Sequence, residues 1–205
     1  MGTRNITIVQ SGGEYKVGQY CQWDGYPSGQ GITILTALRN IDVTDFKRKV
    51  DSLKQLTEDE VQELWKKCGA DGSGWVDMSV SDNFKKRYEQ LHLDFGGKII
   101  EAVANGDVKE VSVDCDFVAD SLFCKWAYVV DLDKNTFEVH QGFNKSPLAD
   151  DERFKSFEPK SRDGYYPVKL IASWPLDALP TDDEFLALEH RDDEEEAVSA
   201  EETSV

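Results

Sequence analysis

Phe123-Cys124-Lys125-Trp126-Ala127-Tyr128-Val129-Val130-Asp131-Leu132 is an almost unbroken apolar run, and Asp133-Lys134-Asn135 separates it from the alternating Thr136-Phe137-Glu138-Val139. A run of this length, rich in aromatic and β-branched residues and closed by turn formers, reads as a buried strand. The alternation after the turn makes the second arm of a hairpin. The reading then extends in both directions along the chain. Upstream, Val108, Val111 and Val113 alternate, so strands are expected from about 108 to 141; downstream, Val168 to Trp174 is a last strand that Pro175 stops.

The first 22 residues have the same period of two. Ile6 and Ile8, then Tyr15, Val17 and Gln19, flank Ser11-Gly12-Gly13-Glu14, whose glycines suit a tight turn between two strands. From Ile32 to about Asn105 the period becomes helical, with Ile32, Ile34, Leu35, Leu38 and Ile41 on one face. Ser28, Thr44, Thr57, Ser81 and Asp94 are the expected N-caps of successive helices, and Thr57-Glu58-Asp59-Glu60 has the reciprocal capping-box pattern. Residues 144 to 164, polar and carrying Pro147, Pro159 and Gly164, read as a long surface loop. Thr181-Asp182-Asp183-Glu184 caps a short helix through Leu188. A hairpin, then helices, then strands is a segregated order, so the class is α+β with a mainly antiparallel sheet.

The 205 residues suit one domain over residues 1–190, followed by a disordered acidic tail at 191–205. The formal net charge is −17, of which residues 181–205, with 11 acids and one base, hold −10. An acidic balance disfavours direct binding to nucleic acid or to an anionic membrane, because affinity for both comes from clustered Lys and Arg. It suits either solubility or an encounter with a basic protein partner. No stretch is long and apolar enough for a membrane helix, and no basic start precedes an apolar signal core. Gly2 is followed by Ile6 where the myristoylation pattern needs Ser or Thr, so lipidation is not expected. Cys21, Cys68, Cys115 and Cys124 have no paired short spacing, which fits a reducing, cytoplasmic setting. His92, His140 and His190 are scattered, so neither a metal nor another cofactor is expected.

Three stretches carry candidate chemistry. Gln22-Trp23-Asp24-Gly25-Tyr26-Pro27-Ser28-Gly29-Gln30-Gly31 packs glycines, a proline and two aromatics before a helix start. Gly25 and Gly29 let a ligand approach the backbone, and the helix start with Ser28 offers N–H groups to an anion. Trp23 and Tyr26 can stack on a planar group, and Asp24 can act as an acid or a base. The same loop can equally be a rigid strand-to-helix connection. Arg4, the base at the start of the opening strand, is expected to line a small pocket with the loop and to pair with Asp24 or hold a ligand anion. Asp131 to Thr136 opens like a calcium loop, but Thr136 and Gly142 stand where that loop needs Gly and Glu, so a hairpin turn is expected. Cys124 beside Lys125 has a reactive and a buried structural reading, and its apolar surroundings favour the second.

Met1-Gly2-Thr3-Arg4-Asn5, the Gln22–Gly31 loop, Ser121 to Asp133 and Tyr166-Pro167-Val168 together resemble an uncharacterised family of short proteins of bacteria, their phages and some fungi. The resemblance covers residues 1–190. It implies that the amino terminus and the Trp-Asp-Gly-Tyr-Pro loop form one functional surface, and it carries no activity. The order of elements is also similar to that of the amino-terminal-nucleophile hydrolases, whose first strand opens with Thr, Ser or Cys. That similarity implies Thr3 as nucleophile, freed by cleavage after Gly2, with Asp24 nearby; no downstream lysine is specified. The resulting expectation is an accessory binding protein, phage-encoded, engaging a host protein or a small ligand through Arg4, Trp23, Asp24, Gly25, Tyr26, Ser28 and Gly29. The alternative is an amidohydrolase using Thr3.

Overall fold

The computed structural model describes residues 2–160 and 164–190. Strands β1 (Asn5–Ser11) and β2 (Glu14–Cys21) form the opening hairpin. Gly12 and Gly13 both adopt positive φ, 65° and 76°, as a two-residue turn matched to strand twist demands. Helices α1 (Ile32–Asn40) and α2 (Val43–Asp51) follow, then a short strand β3 (Lys54–Leu56) and helices α3 (Glu58–Lys67), α4 (Met78–Arg87) and α5 (Lys98–Asn105). Strands β4 (Glu110–Ser112), β5 (Trp126–Asp131), β6 (Thr136–Gln141) and β7 (Lys169–Pro175) and helix α6 (Asp182–Leu186) complete the order. This is an α+β fold.

The main sheet runs β2-β1-β5-β6-β7. All its pairs are antiparallel except β1 with β5, which lie side by side and parallel, Asn5 opposite Trp126. The Val108–Val113 alternation yields only β4, and that strand pairs in parallel with β3 outside the main sheet. An exposed three-residue strand such as β3 has too little pattern to announce itself between helices.

Each strand sends alternate residues to opposite faces. Val9, Tyr128, Val130, Phe137 and Val139 meet α1, α2, α5 and Phe185 in the larger core. Ile6, Ile8, Ala127 and Val129 face the other way and are covered by Val118, Leu148, Phe154 and Val168. The segment read as a surface loop therefore carries Leu148 and Phe154 into a second core, and the Arg153 side chain between them is enclosed as well. Its guanidinium pairs with Asp131 and Glu138, and His140 Nε2 lies 3.1 Å from Glu138 Oε2. The polar composition of 144–160 conceals this covering role, because three buried anchors suffice.

Several expected caps shift. Asp42, not Thr44, caps α2 by accepting from the Asp45 N–H at 2.8 Å, and Asp77, not Ser81, caps α4 by accepting from Val80 N–H. Ser81 Oγ is instead 3.1 Å from His92 Nε2. Asp94 lies before Gly97, the N-cap of α5, and Ser28 before Gly31, the N-cap of α1; neither N-cap makes a side-chain bond. The capping boxes at Thr57 and Thr181 form as expected. The Asp131–Asn135 turn is built as a hairpin, with Asp131 Oδ1 accepting from Asp133 and Lys134 N–H. The expected disordered tail at 191–205 lies outside the described residues, and among those described no helix is long and apolar enough to cross a membrane.

Candidate functional site

Sheet register places the site. Asn5 pairs with Trp126 and Trp126 with Gln141, so the residues just outside these three strand ends, Arg4, Lys125 and Gly142, lie level at one edge. The Lys125 N–H donates to Arg4 O at 3.0 Å, and Gly142 N–H to Lys125 O at 2.8 Å. A Cβ on Gly142 would stand 2.1 Å from Cys124 O, so only glycine allows this approach. Phe143 follows at φ 55°, an outlying conformation for a bulky residue, and its N–H donates to Ser121 O at 2.8 Å. The chain thereby turns the Phe143 ring outward, half exposed.

Between these ends lies a cavity of about 540 Å3. Gly2, Thr3 and Arg4 form one wall, and Leu122, Phe123, Lys125 and Trp126 a second. Gln141 and Phe143 close a third side, with Tyr26 and Glu189 at the margin. Its rings are unusually open: Tyr26 keeps 46%, Phe123 44% and Phe143 50% exposure. Its cations rest on those rings. The Arg4 guanidinium lies 5.1 Å from the Phe123 centroid, and Lys125 Nζ lies 2.6 Å from that of Phe143. Among the described residues neither cation has a carboxylate within ion-pair distance. Partial burial holds the Lys125 ammonium below its ordinary pKa.

The Gln22–Gly31 loop buttresses this cavity. Asp24 adopts φ 55°, and its carbonyl accepts from Gln30 N–H at 2.7 Å. Gly25 N–H donates to Thr3 O at 2.9 Å, and Gly25 O accepts from the buried Tyr128 hydroxyl at 2.8 Å. A Cβ on Gly29 would meet Asp24 O at 2.2 Å. The glycines thus serve the close approach of protein backbone. The N–H groups expected to await an anion are engaged: Gly29 and Gly31 donate to Tyr26 O, and Ser28 donates to Glu189 Oε2 at 3.1 Å. The anion at this turn is the protein's own carboxylate.

Of the expected residues, Thr3, Arg4 and Tyr26 line the cavity, whereas Trp23, Asp24, Gly25, Ser28 and Gly29 do not. Trp23 packs against Gly2, where a Cβ would stand 2.4 Å from the indole. Arg4 turns to Phe123 and does not pair with Asp24. Phe123, Lys125, Phe143 and Glu189 were not legible as a site, because they belong to three separated segments. The clue available in sequence was the lone lysine inside an apolar run. Cys124 beside it is fully buried, with its thiol pushed up by burial, as befits a structural residue. Among the described residues, no cluster of three metal-ligating side chains occurs.

Compared with protein-family models, curated proteins and solved structures, the chain gives no match. No relative supplies an activity to carry over, and the site is read from its own chemistry.

Proposed function

We propose that this chain is a binding protein whose cavity takes a small ligand joining a planar apolar body to an acidic group. The observation that carries the reading is the pair Arg4 and Lys125, resting on ring faces beside a concave space with no carboxylate partner among the described residues. In a chain with 40 acids and 23 bases, cations without such a partner are available to an incoming anion. The faces of Phe123, Phe143 and Tyr26 favour a flat body, and about 540 Å3 lies within the size of small-molecule sites. The Trp23–Gly31 loop takes part through Tyr26 and by holding Thr3 in place.

Anilinonaphthalene sulfonate, a planar sulfonate whose fluorescence rises in apolar sites, is the direct probe. Saturable fluorescence that falls about tenfold in affinity for Arg4→Ala and Phe143→Ala, with unchanged circular dichroism, is the expected result. Equal binding by both variants overturns the reading.

A second reading is favoured by the presence of Thr3 and Lys125 on the same cavity. Here Thr3, freed by cleavage after Gly2, is the nucleophile of an amidohydrolase, and Lys125, its ammonium weakened by burial, assists proton transfer. Intact-mass measurement distinguishes the two: a chain beginning at Thr3 supports the hydrolase, and a chain retaining Gly2 removes it.

A further inference from the structure

The alternation of cation and ring continues beyond the cavity. Phe143 lies 6.1 Å from Tyr165, and Lys145 Nζ stands 3.7 Å from the Tyr165 centroid. Lys145 also has no carboxylate within ion-pair distance among the described residues. Three ring–cation pairs result: Arg4 on Phe123, Lys125 on Phe143 and Lys145 on Tyr165. They begin inside the cavity and pass out of it at Phe143, since Lys145 and Tyr165 do not line it. A small ligand fills only the inner part.

We propose that this stripe binds a short single strand of nucleic acid, its end nucleotide seated in the cavity and the next ones laid over Phe143 and Tyr165. Single strands are held by cations that follow the phosphates and by rings on which successive bases stack, and that is the alternation found here. A cation occupies one face of each ring, while Phe123 and Phe143 keep about half their surface open to a base. A duplex offers no free base faces, and an acidic peptide offers charge without rings. The net charge of −17 repels a polyanion at long range, but it does not remove a local patch whose cations lack carboxylate partners. It predicts weak binding with few phosphate contacts: three cations give a slope of log affinity against log salt of about −2.

The inference rests on the reading of the cavity as a site for rings and anions, and the test separates the two. Full-length protein is titrated into fluorescein-labelled octathymidylate at low salt and followed by anisotropy, with anilinonaphthalene sulfonate measured in parallel. The expected result is binding of the octamer that falls about tenfold in Lys145→Ala and in Tyr165→Ala, while sulfonate binding is unchanged. Tyr165→Phe keeps the ring and should restore octamer affinity. Sulfonate binding without octamer binding overturns the strand proposal and leaves the cavity reading standing; loss of both in unmodified protein overturns the two together. Equal affinity for a duplex or for an octaglutamate peptide overturns the stacking argument. Equal affinity for thymidine monophosphate confines the site to the cavity and also overturns the strand.

Discussion

Arg153 packs against one face of the main sheet and Arg4 lies at the end of its strand β1, in opposite circumstances. Arg153 is buried with Asp131 and Glu138, and its charge is consumed by the fold. Burial alone would raise the Glu138 carboxyl, but hydrogen bonds from Arg153 and His140 outweigh it and hold Glu138 at about 2. Arg4 lies at a strand end against Phe123, with no carboxylate partner among the described residues and a cavity beside it. A buried, fully paired cation is a structural device, whereas one resting on an aromatic face can transfer to an incoming anion at little cost. The contrast separates residues that hold the protein together from residues available to a ligand.

The largest effect expected is at Arg153. Arg153→Met leaves two carboxylates buried and uncompensated, which costs about 3–5 kcal/mol. Thermal melting should therefore fall by roughly 10 °C, at about 2–4 °C per kcal/mol for a chain of this size. A fall of only a degree or two would break the distinction drawn between the two arginines. Acid should attack the same region. Glu138 has a depressed folded pKa, so its stabilisation is complete above the ordinary carboxyl range and is lost as pH drops through about 4.5 toward about 2. His140 and His92, lowered chiefly by burial, add a milder loss as pH falls below about 6.5. Urea unfolding against pH should show falling stability on the acid side, with a weaker dependence below pH 4.5 in Glu138→Gln.

Gly29→Ala tests the loop that buttresses the cavity. Its Cβ meets backbone Asp24 O rather than a flexible side chain, so about 1–3 kcal/mol of destabilisation is expected. Sulfonate binding should weaken with it, because Tyr26 moves with the loop. Phe143→Gly sharpens the contrast from the other side. It relieves a bulky residue at φ 55° and removes a ring, so melting should change by no more than a few degrees while probe affinity drops. The smallest stability effect belongs to Arg4→Ala, about 0.5 kcal/mol or less by denaturant titration. Destabilisation on the scale of Arg153→Met would make Arg4 a structural residue.

Much of the scaffold was legible locally. The β5–β6 hairpin follows from an apolar run, a turn and alternation, all within seventeen residues. The capping boxes at Thr57 and Thr181 are equally local, since donor and acceptor are three residues apart. Thr44 and Ser81 misled because an aspartate a few residues earlier competes for the same helix start. The 144–160 covering segment was missed because its buried residues, Asn144, Leu148 and Phe154, have no period. Of the site, Thr3, Arg4 and Tyr26 could be nominated from one end of the chain.

Local chemistry along the chain determined the α+β class, the hairpins, two capping boxes and the glycine-rich loop, because each depends on residues a few positions apart. The parallel pairing of β1 with β5 joins residues about 120 apart, and no short-range pattern encodes it. That register alone brings Arg4 level with Lys125, and the turn at Gly142 sets Phe143 beside them. Which cations are neutralised and which stay available was likewise decided in three dimensions, because an ion pair depends on distance in space and composition counts only charges.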